Sequence, residues 1–257
     1  MKSSSFEKRM RLGESFHNLR LLPRAWVILR VDGHGFSRFT YQRFEKPFDP
    51  RFHNFMIHTS QQLLERFHGL YAYTESDEIS ILLPRNWDQF DRSLEKACSL
   101  SSALASSVFT LACGAAVQFD SRAWVGARDE DVVDYFRWRQ TDATRCALNG
   151  WCYWTLRKSG MSIPQATATL HGKSVGFKNE LLYQHGINFN EVPLWQRRGT
   201  GLYWERFEKE GFDPIHNLIV KTSRRRIRIH RELPIKLDYA RLLDQILIGS
   251  NAVEQGK

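Results

Sequence analysis

The chain has 257 residues, 42% hydrophobic and 25% charged, and a formal net charge of +9. This composition excludes a disordered or low-complexity chain and fits one large core, or one core with a helical appendage. The basic excess favours a polyanionic partner, nucleic acid first.

Residues 6–20 carry apolar residues at helical spacing, which predicts a short amphipathic helix before the break at Pro23. Residues 25–31 (AWVILRV) predict a strand that stops at a tight turn, Asp32-Gly33-His34-Gly35. Residues 51–67 predict a helix ended by Gly69. Residues 70–74 and 78–83 predict two strands, with Glu75-Ser76-Asp77 as the turn or a bulge beside it. A second helix is predicted over 88–108 and a fourth strand over 109–119. The order β-α-β-β-α-β is that of a ferredoxin-like split βαβ unit with an antiparallel sheet, an α+β fold.

Beyond residue 128 the pattern becomes helical: a long helix over 129–158 and two short ones within 162–185. The basic run Arg224–Arg231 alternates like an edge strand. The expected organisation is a catalytic palm-like region (1–128) and a helical region with a basic tail (129–257), packed as one unit.

Cys98, Cys113, Cys146 and Cys152 show no CxxC spacing and no accompanying His cluster. They are expected to be buried, reduced thiols. Residues 1–10 are polar and charged, and no apolar run nears the ~20 residues of a membrane span. A cytoplasmic protein without a membrane partner is expected.

Asp32 ends the first strand, and Asp77 lies in the turn of a later hairpin. In a split βαβ sheet the strands leading to them lie side by side. Two carboxylates brought together repel unless a cation or proton intervenes. Mg²⁺ takes hard oxygen ligands and is held by one or two carboxylates plus substrate phosphates. Two such ions can activate an attacking hydroxyl and stabilise a leaving pyrophosphate. Gly33 and Gly35 allow close backbone approach to a triphosphate. Ser76 can donate to a phosphate, and Lys46 can pair with one. Taken singly, D-G and S-D-E are ordinary turn chemistry. Glu78 reads either as a third acid or as the first residue of a strand.

The strings RVDGHGFSRFT (30–40), FEKPFDPRF (44–52), YAYTESDEISILL (71–83), YFRWRQTD (135–142), KNELLYQHGINFN (178–190) and PLWQRRGT (193–200) resemble the tRNA-histidine guanylyltransferase family and its guanylyltransferase-like relatives. The likeness spans roughly residues 6–205. It implies a polymerase-like palm with appended helices, usually assembled as a homotetramer. It also implies nucleotide addition to tRNA 5′ ends in the 3′–5′ direction, after activation of the 5′ end by ATP or GTP. By position, Asp32 and Asp77 match side-chain ligands of two Mg²⁺ ions, and Gly33 a ligand through its carbonyl. Asp32, Gly33, His34, Gly35, Phe36 and Ser37, with Ser76 and Asp77, match the nucleotide pocket. Glu78 matches an acidic catalytic position, and Lys46 and Arg122 match basic positions near the triphosphate.

Histidine-tRNA-specific members carry a His-Ile-Asn-Asn-Leu-Tyr-Asn type string where this chain has Thr144–Gly150. That departure points to the like-protein branch, with template-dependent 5′-end repair. Arg137, Arg139, Arg145, Lys173, Lys178, Arg197, Arg198 and Arg224–Arg231 form the candidate RNA surface. Trp138, Trp151 and Trp154 are expected in the core. Two alternatives stand: a nucleotide cyclase on a similar palm, and a non-catalytic ferredoxin-like RNA-binding module.

Overall fold

The computed structural model describes residues 5–213 and 216–254. Its centre is one antiparallel sheet of six strands: β1 (Trp26–His34), β2 (Tyr71–Glu75), β3 (Glu78–Leu83), β4 (Gln118–Gly126), β5 (Thr200–Asp213) and β6 (Leu218–His230). The spatial order is β4-β1-β3-β2-β5-β6. The first four strands have the order of a split βαβ unit, and the β5–β6 hairpin extends the sheet beyond β2.

β1 reads as an unbroken apolar run because both of its faces are covered. Val27, Leu29 and Val31 face a core shared with α3 (Pro50–Arg66) and α4 (Leu94–Cys113). Trp26 and Ile28 face a second core, built from α5 (Asp129–Lys158) and α9 (Lys236–Glu254). A third cluster joins the C-terminal half of α5 to α6 (Ile163–Leu170) and α7 (Val175–Gln184). Local chemistry sets the helix ends. Asp49 caps α3, with Pro50 behind it, and Ser93 caps α4. Gly114, at φ 69, ends α4 in the left-handed conformation that glycine adopts freely.

Several expectations need correction. Residues 109–113 finish α4 and are not a strand, because Phe109 continues the buried stripe of Ala97, Ser101 and Ala105 at helical spacing; the strand begins at Gln118. Asp32, Gly33 and His34 belong to β1 and pair with β4, so the turn starts only at Gly35. α1 covers only Ser5–Arg11, and Phe6, Met10, Leu12, Phe16 and Leu19 are exposed. Also unforeseen were α2 (Phe36–Arg43), β5 and α9, as well as the short α8 (Leu194–Arg198).

α4 has 20 residues and, by length and composition alone, is apolar enough to cross a membrane, contrary to the reading of the sequence. Its Ala97, Ala105 and Phe109 are fully buried against the sheet, while most of its other residues are half-buried or exposed. Of the four thiols only Cys152 is buried, and Cys146 is exposed. Trp138 is 51% exposed, with the Arg30 and Arg139 guanidinium groups over its ring, so it is not a core residue.

Candidate active site

The site forms where the end of β1 meets the turn between β2 and β3. Asp32 lies opposite Glu78 in β3 and opposite Asp120 in β4. Directly opposed residues of paired strands project to the same face. Three acidic positions from three adjacent strands therefore share one end of the sheet. Asp77 lies beyond them, in the two-residue turn, and the Gly33 amide donates to its carbonyl at 3.0 Å.

The Asp77 carboxyl is held above the usual carboxylate range by burial first; the Asp32 charge adds to the rise, while bonds from Ser76 and the Lys46 charge oppose it. Burial lowers the Lys46 ammonium, and Asp77 and Asp49 counter that. Lys46 Nζ donates to Thr40 Oγ1 at 2.6 Å and lies 5.8 Å from the centre of the Trp154 ring.

Phe36, Ser37, Lys46, Ser76 and Asp77, all singled out in the sequence, line one cavity of about 240 Å³. Thr40, Phe52 and Trp154 complete it and were missed. Phe36 contributes as a wall: its ring packs on Phe39, Phe52, Phe109 and Phe119. A side chain at Gly33 would meet that ring, since a Cβ there would lie 2.4 Å from Phe36 Cδ2. Gly35, at φ 72, caps α2 without a side chain, leaving first-turn amides open beside the acidic pair.

A second cavity of about 190 Å³ shares Thr40, Lys46, Phe52 and Ser76 with the first and runs between Phe44, Pro47, Phe48 and Trp195. The His53 ring stacks on Trp195 at 4.1 Å, its Nε2 lies 3.2 Å from Thr200 Oγ1, and burial lowers its pKa to about 3.

Six predicted residues are absent from the cavity lining: Asp32, Gly33, His34 and Gly35 at and just beyond the end of β1, and Glu78 and Arg122 on the neighbouring strands. Arg122 lies on β4, exposed and paired with Asp120 at 3.1 Å. Glu78 is buried and held by Arg139 Nε at 2.7 Å and Nη2 at 2.9 Å, so its oxygens are engaged by a guanidinium. Glu75 was read only as a turn residue. It accepts from Arg139 Nη2 at 2.8 Å, and burial with the nearby Glu78 and Asp142 charges pushes it up to about 8. Arg139 itself is 7% exposed, which removes it from the RNA surface. Its place on the buried stripe of α5, in register with Val132, Phe136 and Ala143, was the available signal.

Among the basic residues, Arg197 donates to the carbonyls of Val192 and Asn190, and Arg198 to that of Leu233, so both brace loops. Arg137, Arg145, Lys178 and Arg197 also line a groove of about 840 Å³ with Asn179 and Asn190.

Among the described residues no group of three or more His, Cys, Asp or Glu side chains is arranged to hold a metal. The candidate donors are the two carboxylates the sequence named, Asp32 and Asp77. This suits Mg²⁺, which completes its shell with water and phosphate oxygens.

The family model for tRNAHis guanylyltransferase (Thg1) matches residues 7–135, and that for the Thg1 C terminal domain matches residues 130–240. The chain belongs to the tRNAHis guanylyltransferase family. The tRNA(His) guanylyltransferase 2 of Arabidopsis thaliana is 32% identical over 241 residues, covering 88% of this chain and 43% of that protein. The probable tRNA(His) guanylyltransferase of Drosophila melanogaster is 30% identical over 220 residues, 79% of this chain and 77% of that one. The chain thus spans less than half of the Arabidopsis protein and most of the Drosophila one.

A bacterial guanylyltransferase (Thg1)-like protein in complex with GTP superposes with a TM-score of 0.72 at 26% identity, over 95% of this chain and 99% of that one. The like protein in complex with ATP gives 0.74 at 25% identity, with the same coverage. Membership in the tRNAHis guanylyltransferase family fits the palm-type sheet order and the acidic pair at its end.

Proposed function

We propose that this chain is a nucleotidyltransferase that adds nucleotides to the 5′ end of tRNA in the 3′–5′ direction. ATP or GTP activates the 5′ end, and a nucleoside triphosphate is then added. The observation that carries this reading is the meeting of Asp32 and Asp77. They come from two separate parts of the chain to one end of the sheet, where the amide of Gly33, next to Asp32, donates to the Asp77 carbonyl at 3.0 Å. Family membership and the nucleotide complexes of the like proteins support it.

Asp32, Asp77 and the Gly33 carbonyl would hold two Mg²⁺ ions, which neutralise phosphate charge and lower the barrier to phosphoryl transfer. The chain's own residues do the rest. Lys46, Ser37, Ser76 and the open amides at the start of α2 orient a triphosphate in the 240 Å³ cavity. The adjoining slot between Phe44, Pro47 and Phe48 takes a base. Arg122 steadies Asp120 at the rim of the acidic end. RNA lies across the groove of Arg137, Arg145 and Lys178 and the basic face of β6.

Thr144–Gly150 in place of the histidine-specific string favours the like-protein branch and template-dependent 5′-end repair. Homotetramer assembly and a cytoplasmic location belong to the same reading. The exposed Leu100 and Leu111 of α4 offer an apolar surface for a second subunit.

The test is extension of 5′-truncated tRNA with ATP, GTP and Mg²⁺, supplying each nucleotide opposite each template base. Addition of the complementary nucleotide supports the reading. A cyclic product made from triphosphate without RNA would establish the cyclase, and RNA binding without triphosphate binding would establish the RNA-binding module.

A further inference from the structure

The turn bearing Asp77 has an unfavourable base. Glu75 and Glu78 close it from directly opposite positions of β2 and β3, which places two largely buried carboxyl groups side by side, each needing a hydrogen-bond partner. Ser76 within the turn sits at φ 47, in the left-handed region that side chains other than Gly and Asn adopt rarely. An external hold is needed to keep such a turn in one conformation.

Arg139 of α5 supplies it. Its Nε donates to Glu78 Oε1 at 2.7 Å and its Nη2 to Glu78 Oε2 at 2.9 Å, while Nη2 also reaches Glu75 Oε1 at 2.8 Å. One planar guanidinium thus spans both ends of the turn. Asp142 lies 3.3 Å from Nη2 and aims the fork from its own helix. From the other side the Gly33 amide holds the Asp77 carbonyl, and Thr74 Oγ1 donates to the Glu78 carbonyl at 3.0 Å.

We propose that Arg139 is a positioning residue for Asp77. By clamping Glu75 and Glu78 together it fixes the turn against β1, and so sets the spacing of the Asp32 and Asp77 carboxylates on which cation binding depends. Glu78 shares this role, since its oxygens are bound to the clamp. The proposal rests on the reading of Asp32 and Asp77 as a cation-holding pair. Arg139 lines neither cavity of the site; it acts through the turn, as outer-shell partners orient metal ligands. Lysine keeps the charge but has no planar fork, so it cannot bridge both carboxylates in the same geometry.

The test measures Mn²⁺ affinity by electron paramagnetic resonance on the full chain with GTP, for wild type, Asp77→Ala, Arg139→Lys and Glu75→Ala. Melting curves report folding. Arg139→Lys is expected to bind Mn²⁺ about tenfold more weakly. Nucleotide binding without metal should stay at the wild-type level, a separation that general loosening of the fold would not produce. Glu75→Ala keeps the Arg139–Glu78 pair, and so the fold, but loses one leg of the clamp. It is expected to weaken Mn²⁺ binding by a smaller factor, and it decides the matter if Arg139→Lys does not fold. Wild-type Mn²⁺ affinity in folded Glu75→Ala and Arg139→Lys overturns the clamp alone. Equal Mn²⁺ binding by wild type and Asp77→Ala overturns the reading of the acidic pair, and the clamp with it.

Discussion

The Gly33 amide and the Asp77 carbonyl are joined by a hydrogen bond of 3.0 Å, which ties the end of β1 to a turn 44 positions further along the chain. The same glycine packs under the Phe36 ring, and the same aspartate lines the cavity that holds Lys46. Backbone, core and candidate site are therefore coupled at one point.

Gly33→Ala tests that coupling. The new methyl would overlap the Phe36 ring, which is itself wedged among four other phenylalanines. Overpacking of this kind costs about 1–3 kcal/mol. Denaturant unfolding should show that loss, together with reduced 5′-end addition, whereas Gly35, with open space around it, meets only its backbone restriction.

Asp49→Ala should lower stability by about 1 kcal/mol, because Asp49 accepts from the Arg51 and Glu45 amides and caps α3. The Arg51 guanidinium, with these amides, holds its carboxyl down at about 2. A depressed carboxylate stabilises the fold fully above the unfolded pKa of ~3.9 and loses that contribution as pH falls toward 2. Acid unfolding curves of wild type and Asp49→Ala should converge across that window.

His53 gives an acid dependence at higher pH. Buried against Trp195, it stays neutral down to about pH 3, while the unfolded chain protonates it below ~6.5. Between those values the unfolded state holds the extra proton, so stability falls by up to about 1.4 kcal/mol per pH unit as pH drops. His53→Phe keeps the ring stacking and should remove that part of the slope, measured by urea unfolding from pH 7 to pH 4.

RNA binding is expected to weaken with salt. Lys178→Ala, in the basic groove, should raise the dissociation constant for tRNA and reduce the salt slope by about one unit. Arg198→Ala should instead act on stability, because its guanidinium holds the Leu233 carbonyl.

The palm order was legible because β1, β3 and α3 carry strong, unbroken patterns. The acidic pair was legible because both aspartates stand at strand ends. The 109–119 stretch misled because Phe-Thr-Leu-Ala-Cys is apolar in either geometry, and only its spacing from Ala105 favours a helix. β5 was hidden because Glu205, Arg206, Glu208 and Lys209 lie on a ribbon that projects past β2, with no apolar alternation to betray it. Arg139 read as an RNA contact because charge alone does not reveal that its helix turns it inward onto Glu75 and Glu78.

The most direct measurement is single-turnover addition of GTP to a 5′-truncated tRNA by wild type, Asp32→Ala and Asp77→Ala, at saturating RNA and Mg²⁺. Removing either carboxylate should slow addition by at least ~10²-fold, several kcal/mol of barrier, while each variant still melts cooperatively. Addition at the wild-type rate by either folded variant would contradict the account.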